Sequence, residues 1–282
     1  MNKDIRHAVV ISIENGKGGV CKTTTTKILA HEATRKGKKT LLIDLDPKQS
    51  NLTKGFGIEP FEGYTGENNI SLIFQGDEVP TPIKLSELLD IIPAAYALEE
   101  VANFCPRGKE LKLKKLVHEF KDKYDVILID TNPGIEVLLT NATLAADIVV
   151  MPVEQAQNAA KGMERFFKNI SDTMKIFSSE NPRKFFIVPS KHDKRAKIDN
   201  LFLKDYELIS KYANTLPCFN NKEVTVTDYI PQVNALFKKA DANCSWSVQD
   251  FMNDYGPMNG DLMARLQMIS GQILDLGQHN VE

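Results

Sequence analysis

Cysteine is scarce in this chain: Cys21, Cys105, Cys218 and Cys244 are the only four in 282 residues. They are scattered, with no Cys-x-x-Cys pair and no histidine cluster nearby, which argues against a structural zinc site or a disulfide framework. No apolar run approaches the roughly 18 residues of a membrane span. The opening segment, Met1 to His7, is polar and lacks the apolar core of a signal peptide, so a cytoplasmic location is expected. Neither sign of charge dominates. The formal net charge is -2, so any nucleic-acid binding has to come from a local patch and not from bulk charge. Internal repeats and low-complexity tracts are absent as well. Hydrophobic residues at 42% and charged residues at 26% describe a globular chain, long enough for one large α/β domain or two small ones.

The informative stretch is Glu14-Asn15-Gly16-Lys17-Gly18-Gly19-Val20-Cys21-Lys22-Thr23-Thr24. It follows a β-branched apolar run, Ala8 to Ile13, and opens a helix-like segment from Lys22 to Lys36. A strand, a glycine loop and a helix N-terminus together form a phosphate cradle: loop N–H groups and the helix dipole face an anion, and small residues let the backbone approach it. Gly16, Lys22 and Thr23 fit the P-loop spacing, while Cys21 occupies its second glycine position. The alternative is a plain glycine-rich βα turn, which the strand before and the helix after make the lesser reading. If φ at Cys21 is positive, its Cβ strains the loop.

Strand and helix signals alternate along the rest of the chain. Gly37 is a plausible helix C-cap. Thr40 to Pro47 reads as a buried parallel strand closed by Asp44 and Asp46, at the strand end where ligands bind in open α/β sheets. Gly55 to Ile92 reads as a loop-and-helix excursion, with a strand from Leu88 to Pro93. Leu111, Leu113, Leu116, Val117 and Phe120 mark an amphipathic helix. Tyr124 to Asp130 is an apolar run ended by an acid, the Walker B arrangement in which the carboxylate holds the Mg²⁺ shell. Strands follow at Asp147–Val153, Lys184–Pro189 and Val224–Pro231, and helices at Ala156–Ile170, Asn200–Tyr212, Asn234–Ala240 and Asp261–Leu276. The final helix has Arg265 as its only base, which favours core packing over a membrane surface. The expected architecture is one doubly wound, mostly parallel α/β domain over 1–282, helices on both faces, with no separate N-terminal helix-turn-helix domain.

Lys17 to Thr23, Lys-Gly-Gly-x-x-Lys-Thr, resembles the deviant Walker A motif of the ParA/MinD family of ATPases. Asp44-Leu45-Asp46-Pro47 is similar to that family's Asp-x-Asp-Pro, although Pro47-Lys48-Gln49-Ser50-Asn51 departs from Pro-Gln-Gly-Asn. Asp130-Thr131-Asn132-Pro133-Gly134 is similar to Asp-Thr-Pro-Pro-Gly, and Asp193-Lys194-Arg195 to an Asp-x-Arg near the nucleotide base. The resemblance implies ATP and Mg²⁺ as cofactors. Gly16, Lys17, Gly18, Gly19, Val20, Cys21, Lys22, Thr23 and Thr24 would hold the nucleotide. Thr23, Asp44 and Asp130 would serve the metal, and Asp46 would position the attacking water. Lys17 would be a signature lysine that reaches across an ATP-dependent homodimer to complete the partner's site, beside Lys22 on the phosphates.

The implied function is a partition ATPase with a weak basal rate, cytoplasmic and nucleoid-associated when ATP-bound. Its dimer would bind DNA without sequence preference and hydrolyse ATP on stimulation by a ParB-type adaptor. The best local basic patch is Arg183, Lys184, Lys191, Lys194, Arg195 and Lys197, with ordinary solubilising charge as the alternative. A MinD-like membrane cycle would need a basic amphipathic tail, which Gln278 to Glu282 does not offer. An iron–sulfur reductase would need cluster cysteines near a dimer axis, and a positioner of non-DNA cargo would share every motif.

Overall fold

The computed structural model describes residues 7–60, 66–76, 78–104, 108–154, 159–191, 199–219, 222–230 and 260–275. In chain order the elements are β1 (Val9–Ile13), α1 (Lys22–Arg35), β2 (Thr40–Leu45), α2 (Asn51–Lys54), α3 (Leu72–Gly76), β3 (Ile83–Lys84) and β4 (Leu89–Ile92). Then come α4 (Leu98–Phe104), α5 (Lys112–Phe120), β5 (Val126–Thr131), α6 (Glu136–Ala145), β6 (Ile148–Glu154) and α7 (Ala159–Ile176). The remainder is β7 (Lys184–Ser190), α8 (Asp199–Ala213), β8 (Glu223–Val226) and α9 (Gly260–Asp275).

Eight strands form one sheet in the order β3-β4-β2-β5-β1-β6-β7-β8. Every pairing is parallel except the edge strand β3, which runs antiparallel to β4 with Ile83 opposite Ile91. Strands buried on both faces read as continuous apolar runs, and β2, β5 and β6 do so because helices cover both sides. Side-chain alternation sorts the core into two layers. Ile11, Ile13, Leu42, Leu128, Val150 and Val188 pack against α1 and α9. Val10, Ile43, Ile127 and Ile129 pack against α3, α5 and α6, and on β6 and β7 Val149, Met151, Phe185 and Ile187 pack against α7 and α8. The doubly wound fold expected from the alternating pattern is what the structure shows.

Local signals explain most boundaries. After α1, Gly37 adopts φ 73° and the Lys38 N–H donates to Ala33 O at 3.0 Å, the left-handed helix stop that glycine permits without strain. The expected C-terminal helix is α9, which buries Leu266, Ile269, Ile273 and Leu274 on the α1 side of the sheet. Helix α6 carries no clear sequence signal. Its buried set includes Asn141 and Thr143 beside Leu138 and Leu144, so no apolar stripe stands out at helical spacing. The excursion after Gly55 contains α3 and the short β3, held as an edge strand by β4. The helix expected at Asn234–Ala240 lies outside the described residues.

Leu128 is fully buried in β5, which is flanked by β1 and β2. Leu128→Ala should therefore cost about 2–5 kcal/mol of unfolding free energy. The measurement is a denaturant titration, in which the midpoint falls while the slope stays unchanged.

Candidate functional site

Strand alternation also decides which acids reach the carboxyl edge of the sheet. Asp44 on β2 and Asp130 on β5 stand opposite one another in register. Both share a parity with Leu42 and Leu128, so they face α1 and are almost wholly buried. Helix α1 meets them with residues three and four apart, the spacing of one helical face. Thr23 Oγ1 donates to Asp130 Oδ2 at 2.6 Å and Thr26 Oγ1 to Asp130 Oδ1 at 3.3 Å. Asp44 is tied differently. Its Oδ2 accepts the Thr53 N–H at 2.9 Å and the Thr53 hydroxyl at 2.6 Å, and its Oδ1 accepts the Asp46 N–H at 2.9 Å. Asp44 thus supports the site from behind, fixing α2 and the turn that carries Asp46.

Burying carboxylates side by side disfavours their ionised forms. Burial, and then the neighbouring Asp44, push Asp130 up to about 7, against the Thr23 hydrogen bond and the Lys22 charge. Burial pushes Asp44 up to about 6 despite its hydrogen bonds from Thr53 and Asp46. Two lysines face this cluster. Burial lowers both Lys22 and Lys27 from the ordinary lysine range, while Asp130 opposes the shift in each, joined by Asp46 at Lys22 and by Asp44 at Lys27.

The loop closes the site. Asn15 Nδ2 donates to Pro152 O at 2.8 Å, and Ser190 Oγ donates to Val20 O at 3.2 Å, so the ends of β6 and β7 hold it in place. Lys22 Nζ donates to Asn15 O at 3.1 Å and Lys17 O at 3.0 Å, inside the curve of the loop. Cys21 sits at φ 72°, ψ 27° and makes no side-chain cap to α1. A left-handed cysteine costs about 1–2 kcal/mol, which meets the strain condition set by its place in the motif. Without a side-chain cap, the first-turn N–H groups of α1 are left for an anion. The loop borders a cleft of ≈ 130 Å³ that also takes in Gly18, Gly19, Lys22, Thr23, Thr24, Asp46, Thr131, Pro133 and Lys191. Lys17, next in sequence to the cleft-lining Gly18, is exposed, its Nζ 3.3 Å from Glu154 Oε2, and Lys191 approaches Glu154 Oε1 at 3.6 Å.

The structure divides the basic patch expected from the sequence. Arg183 and Lys184 lie where β7 begins and Lys191 just beyond its end, roughly 20 Å apart at about 3.3 Å per residue. They therefore form no single surface; residues near in sequence are separated by running along a strand. Lys194, Arg195 and Lys197 lie outside the described residues, as does Asp193.

Three buried side chains were given no role by the motifs. Glu14, 1% exposed, accepts hydrogen bonds from Ser12 Oγ at 2.5 Å and Thr143 Oγ1 at 2.9 Å, and burial pushes it up to about 7. Lys27 is a buried lysine on a helix face that periodicity alone would assign to apolar residues. Asn132 Nδ2 donates to Asp46 Oδ1 at 2.7 Å. The first two could be suspected only as charges in apolar settings, the third only as a departure from a family pattern.

Residues 8–182 match the family model described as an AAA domain. Over 175 residues the chain is 34% identical to the sporulation initiation inhibitor protein Soj of Bacillus subtilis, covering 61% of this chain and 68% of that one. The chain belongs to the ParA family of ATPases. Among solved structures it is similar to a putative plasmid partition protein of Borrelia burgdorferi bound to AMPPNP, with TM-score 0.64, 25% identity and coverage of 87% of this chain and 96% of that one. It is similar also to cobyrinic acid a,c-diamide synthase of Mycobacterium smegmatis with a bound ATP analog and magnesium, with TM-score 0.66, 28% identity and coverage of 83% and 93%.

The ParA-type site fits a hard divalent cation. Three carboxylates, Asp44, Asp46 and Asp130, stand against two ammonium groups, Lys22 and Lys27, which leaves negative charge to be neutralised. Among the described residues no cluster of three or more His, Cys, Asp or Glu side chains forms a protein-only metal cage. Thr23 Oγ1 and Asp130 offer oxygens to an ion of the magnesium kind, which is held through one or two protein oxygens together with phosphate and water.

Glu14 supplies a pH test. Its folded-state value of about 7 lies above the ordinary glutamate value of 4.5, so the folded state keeps a proton that the unfolded state loses. The stability it contributes is complete below about 4.5 and is lost as pH rises through about 7. Thermal unfolding of the protein without ligands should fall across that window, and Glu14→Gln should flatten the slope.

Proposed function

We propose that this ParA-family ATPase is a DNA-segregation ATPase that cycles between a monomer and an ATP-bound sandwich dimer. The observation that carries the reading is a phosphate cradle with two lysines of different placement. Lys22 is buried inside the loop, and Lys17, in the same loop, is exposed, free to meet a facing subunit's nucleotide.

ATP binds with its phosphates along the loop and the first turn of α1, where N–H groups and the Lys22 ammonium meet the β- and γ-phosphates. Magnesium, when bound, neutralises charge on the phosphate oxygens. Thr23 would be the protein oxygen that holds it, with Asp130 orienting that hydroxyl through the 2.6 Å hydrogen bond and Asp44 fixing the turn behind. Asp46 positions the attacking water. Its Oδ1 is anchored by the N–H groups of Lys48 and Gln49 at 3.0 Å each and by Asn132, which leaves Oδ2 for the cleft. Lys17 leaves Glu154 and reaches the partner's phosphates, so that γ-phosphate loss releases the dimer. Positioned charge, not covalent chemistry, drives such a transfer.

The dimer binds duplex DNA through phosphate contacts, for which we retain Lys194, Arg195 and Lys197, with Lys191 adjoining. Arg183 and Lys184, at the other end of β7, are a separate surface. A ParB-type adaptor bound to the segregated DNA stimulates hydrolysis. Among the described residues no helix is long and apolar enough to cross a membrane. The tail from Gln278, where an amphipathic anchor would sit, lies outside the described residues.

Binding to arbitrary duplex DNA, measured with ATP, ADP and no nucleotide at two salt concentrations, tests this reading. The expectation is ATP-dependent binding, indifferent to sequence, that weakens steeply with salt. Equal binding in all three nucleotide states would contradict it. Asp46→Ala should retain ATP binding and lose at least ~10²-fold in turnover, on the scale of removing a catalytic proton acceptor. Cys21→Gly should relieve the left-handed strain and tighten ATP binding or speed turnover, as read by nucleotide titration and phosphate release.

A further inference from the structure

The hydrogen bonding around Asp46 has one participant that neither the loop nor the strand-end acids require. Asn132 follows β5 and is 3% exposed. Its Nδ2 donates to Asp46 Oδ1 at 2.7 Å. Because a carboxylate only accepts, this bond fixes which end of the amide points at Asp46. The other end, Oδ1, is buried with no hydrogen-bond partner. Leaving a buried acceptor unmet works against stability, so a side chain present for packing would be better apolar. The positional effect is different. Two backbone N–H groups, from Lys48 and Gln49, already hold Asp46 Oδ1 at 3.0 Å from its own turn. Asn132 adds the one donor that comes from a different element, tying that turn after β2 to the segment after β5. The rotation of the carboxylate plane is thereby set by two elements of the sheet edge.

We propose that Asn132 is a positioning residue for ATP hydrolysis: it orients the Asp46 carboxylate, and with it the attacking water, at a stability cost carried by its own unpaired oxygen. The inference rests on the proposed role of Asp46. Charged groups acting around that carboxylate are Lys22 on α1, Asp44 on β2 and Asp130 on β5. Replacing the amide by a carboxyl would therefore add a fourth acid next to Asp46.

The test compares the full chain with Asn132→Leu and Asn132→Asp in ATP and Mg²⁺, reading kcat, KM for ATP and thermal midpoint. For Asn132→Leu, kcat should fall at least tenfold, KM should stay within twofold, and the thermal midpoint should hold or rise. Asn132→Asp, which removes the donor and sets a like charge beside Asp46, should lower kcat at least as far, again with KM within twofold. A lowered thermal midpoint with kcat within twofold of the unaltered chain would make Asn132 structural and overturn the inference. A fall in kcat matched by an equal rise in KM would overturn it too. Turnover by the unaltered chain matched by both variants sinks this inference alone. Absence of turnover in the unaltered chain sinks the ATPase mechanism and the inference with it.

Discussion

Two carboxylates buried side by side are the constraint on which this structure turns. Asp44 and Asp130 are register partners on adjacent parallel strands, and parity sends both under α1. Ionised neighbours in such a setting repel, and burial removes the water that would screen them. The fold compensates with hydroxyls from Thr23, Thr26 and Thr53 and with the ammonium groups of Lys22 and Lys27. Each compensator comes from α1 or α2, so the requirement fixes where these helices sit against the sheet. Lys27 shows how tight the arrangement is: a Cβ added at Gly55 would lie 2.1 Å from its Nζ, so the absence of a side chain at 55 makes room for the ammonium.

The same frustration gives the site its chemistry. A cluster with more carboxylates than ammonium groups attracts a divalent cation, and a strained loop whose first-turn N–H groups are uncapped attracts phosphate. A magnesium nucleotide answers both demands at once. Cys21 sits where these demands meet, holding a left-handed conformation that glycine would adopt freely. Lys17, by contrast, is held only by an exposed ion pair with Glu154. Such pairs are weak, so the Lys17 ammonium can be released at little cost.

Much of this was legible in the sequence. The strand-loop-helix around Gly16 to Thr24, the acids closing β2 and β5, and the alternation of strands with helices all carry local signals that survive folding. What escaped did so for physical reasons. Helix α6 shows no apolar stripe because Asn141 and Thr143 are buried among its apolar residues. Glu14, Lys27 and Asn132 matter through partners 129, 103 and 86 residues away in sequence, at Thr143, Asp130 and Asp46, and no local pattern reports such distances. In the basic patch, Arg183 and Lys191 sit at opposite ends of a strand, a separation that a run of charges in sequence does not reveal, and Lys194, Arg195 and Lys197 lie outside the described residues.

The most direct measurement is calorimetric titration of ATP into the unaltered protein with magnesium and with EDTA, at pH 8. Saturable binding that is strong with magnesium and at least tenfold weaker without it is the predicted result. Binding indifferent to magnesium, or none in either condition, would contradict the account, because the carboxylate cluster and the cysteine-bearing loop would then not form one magnesium-nucleotide site.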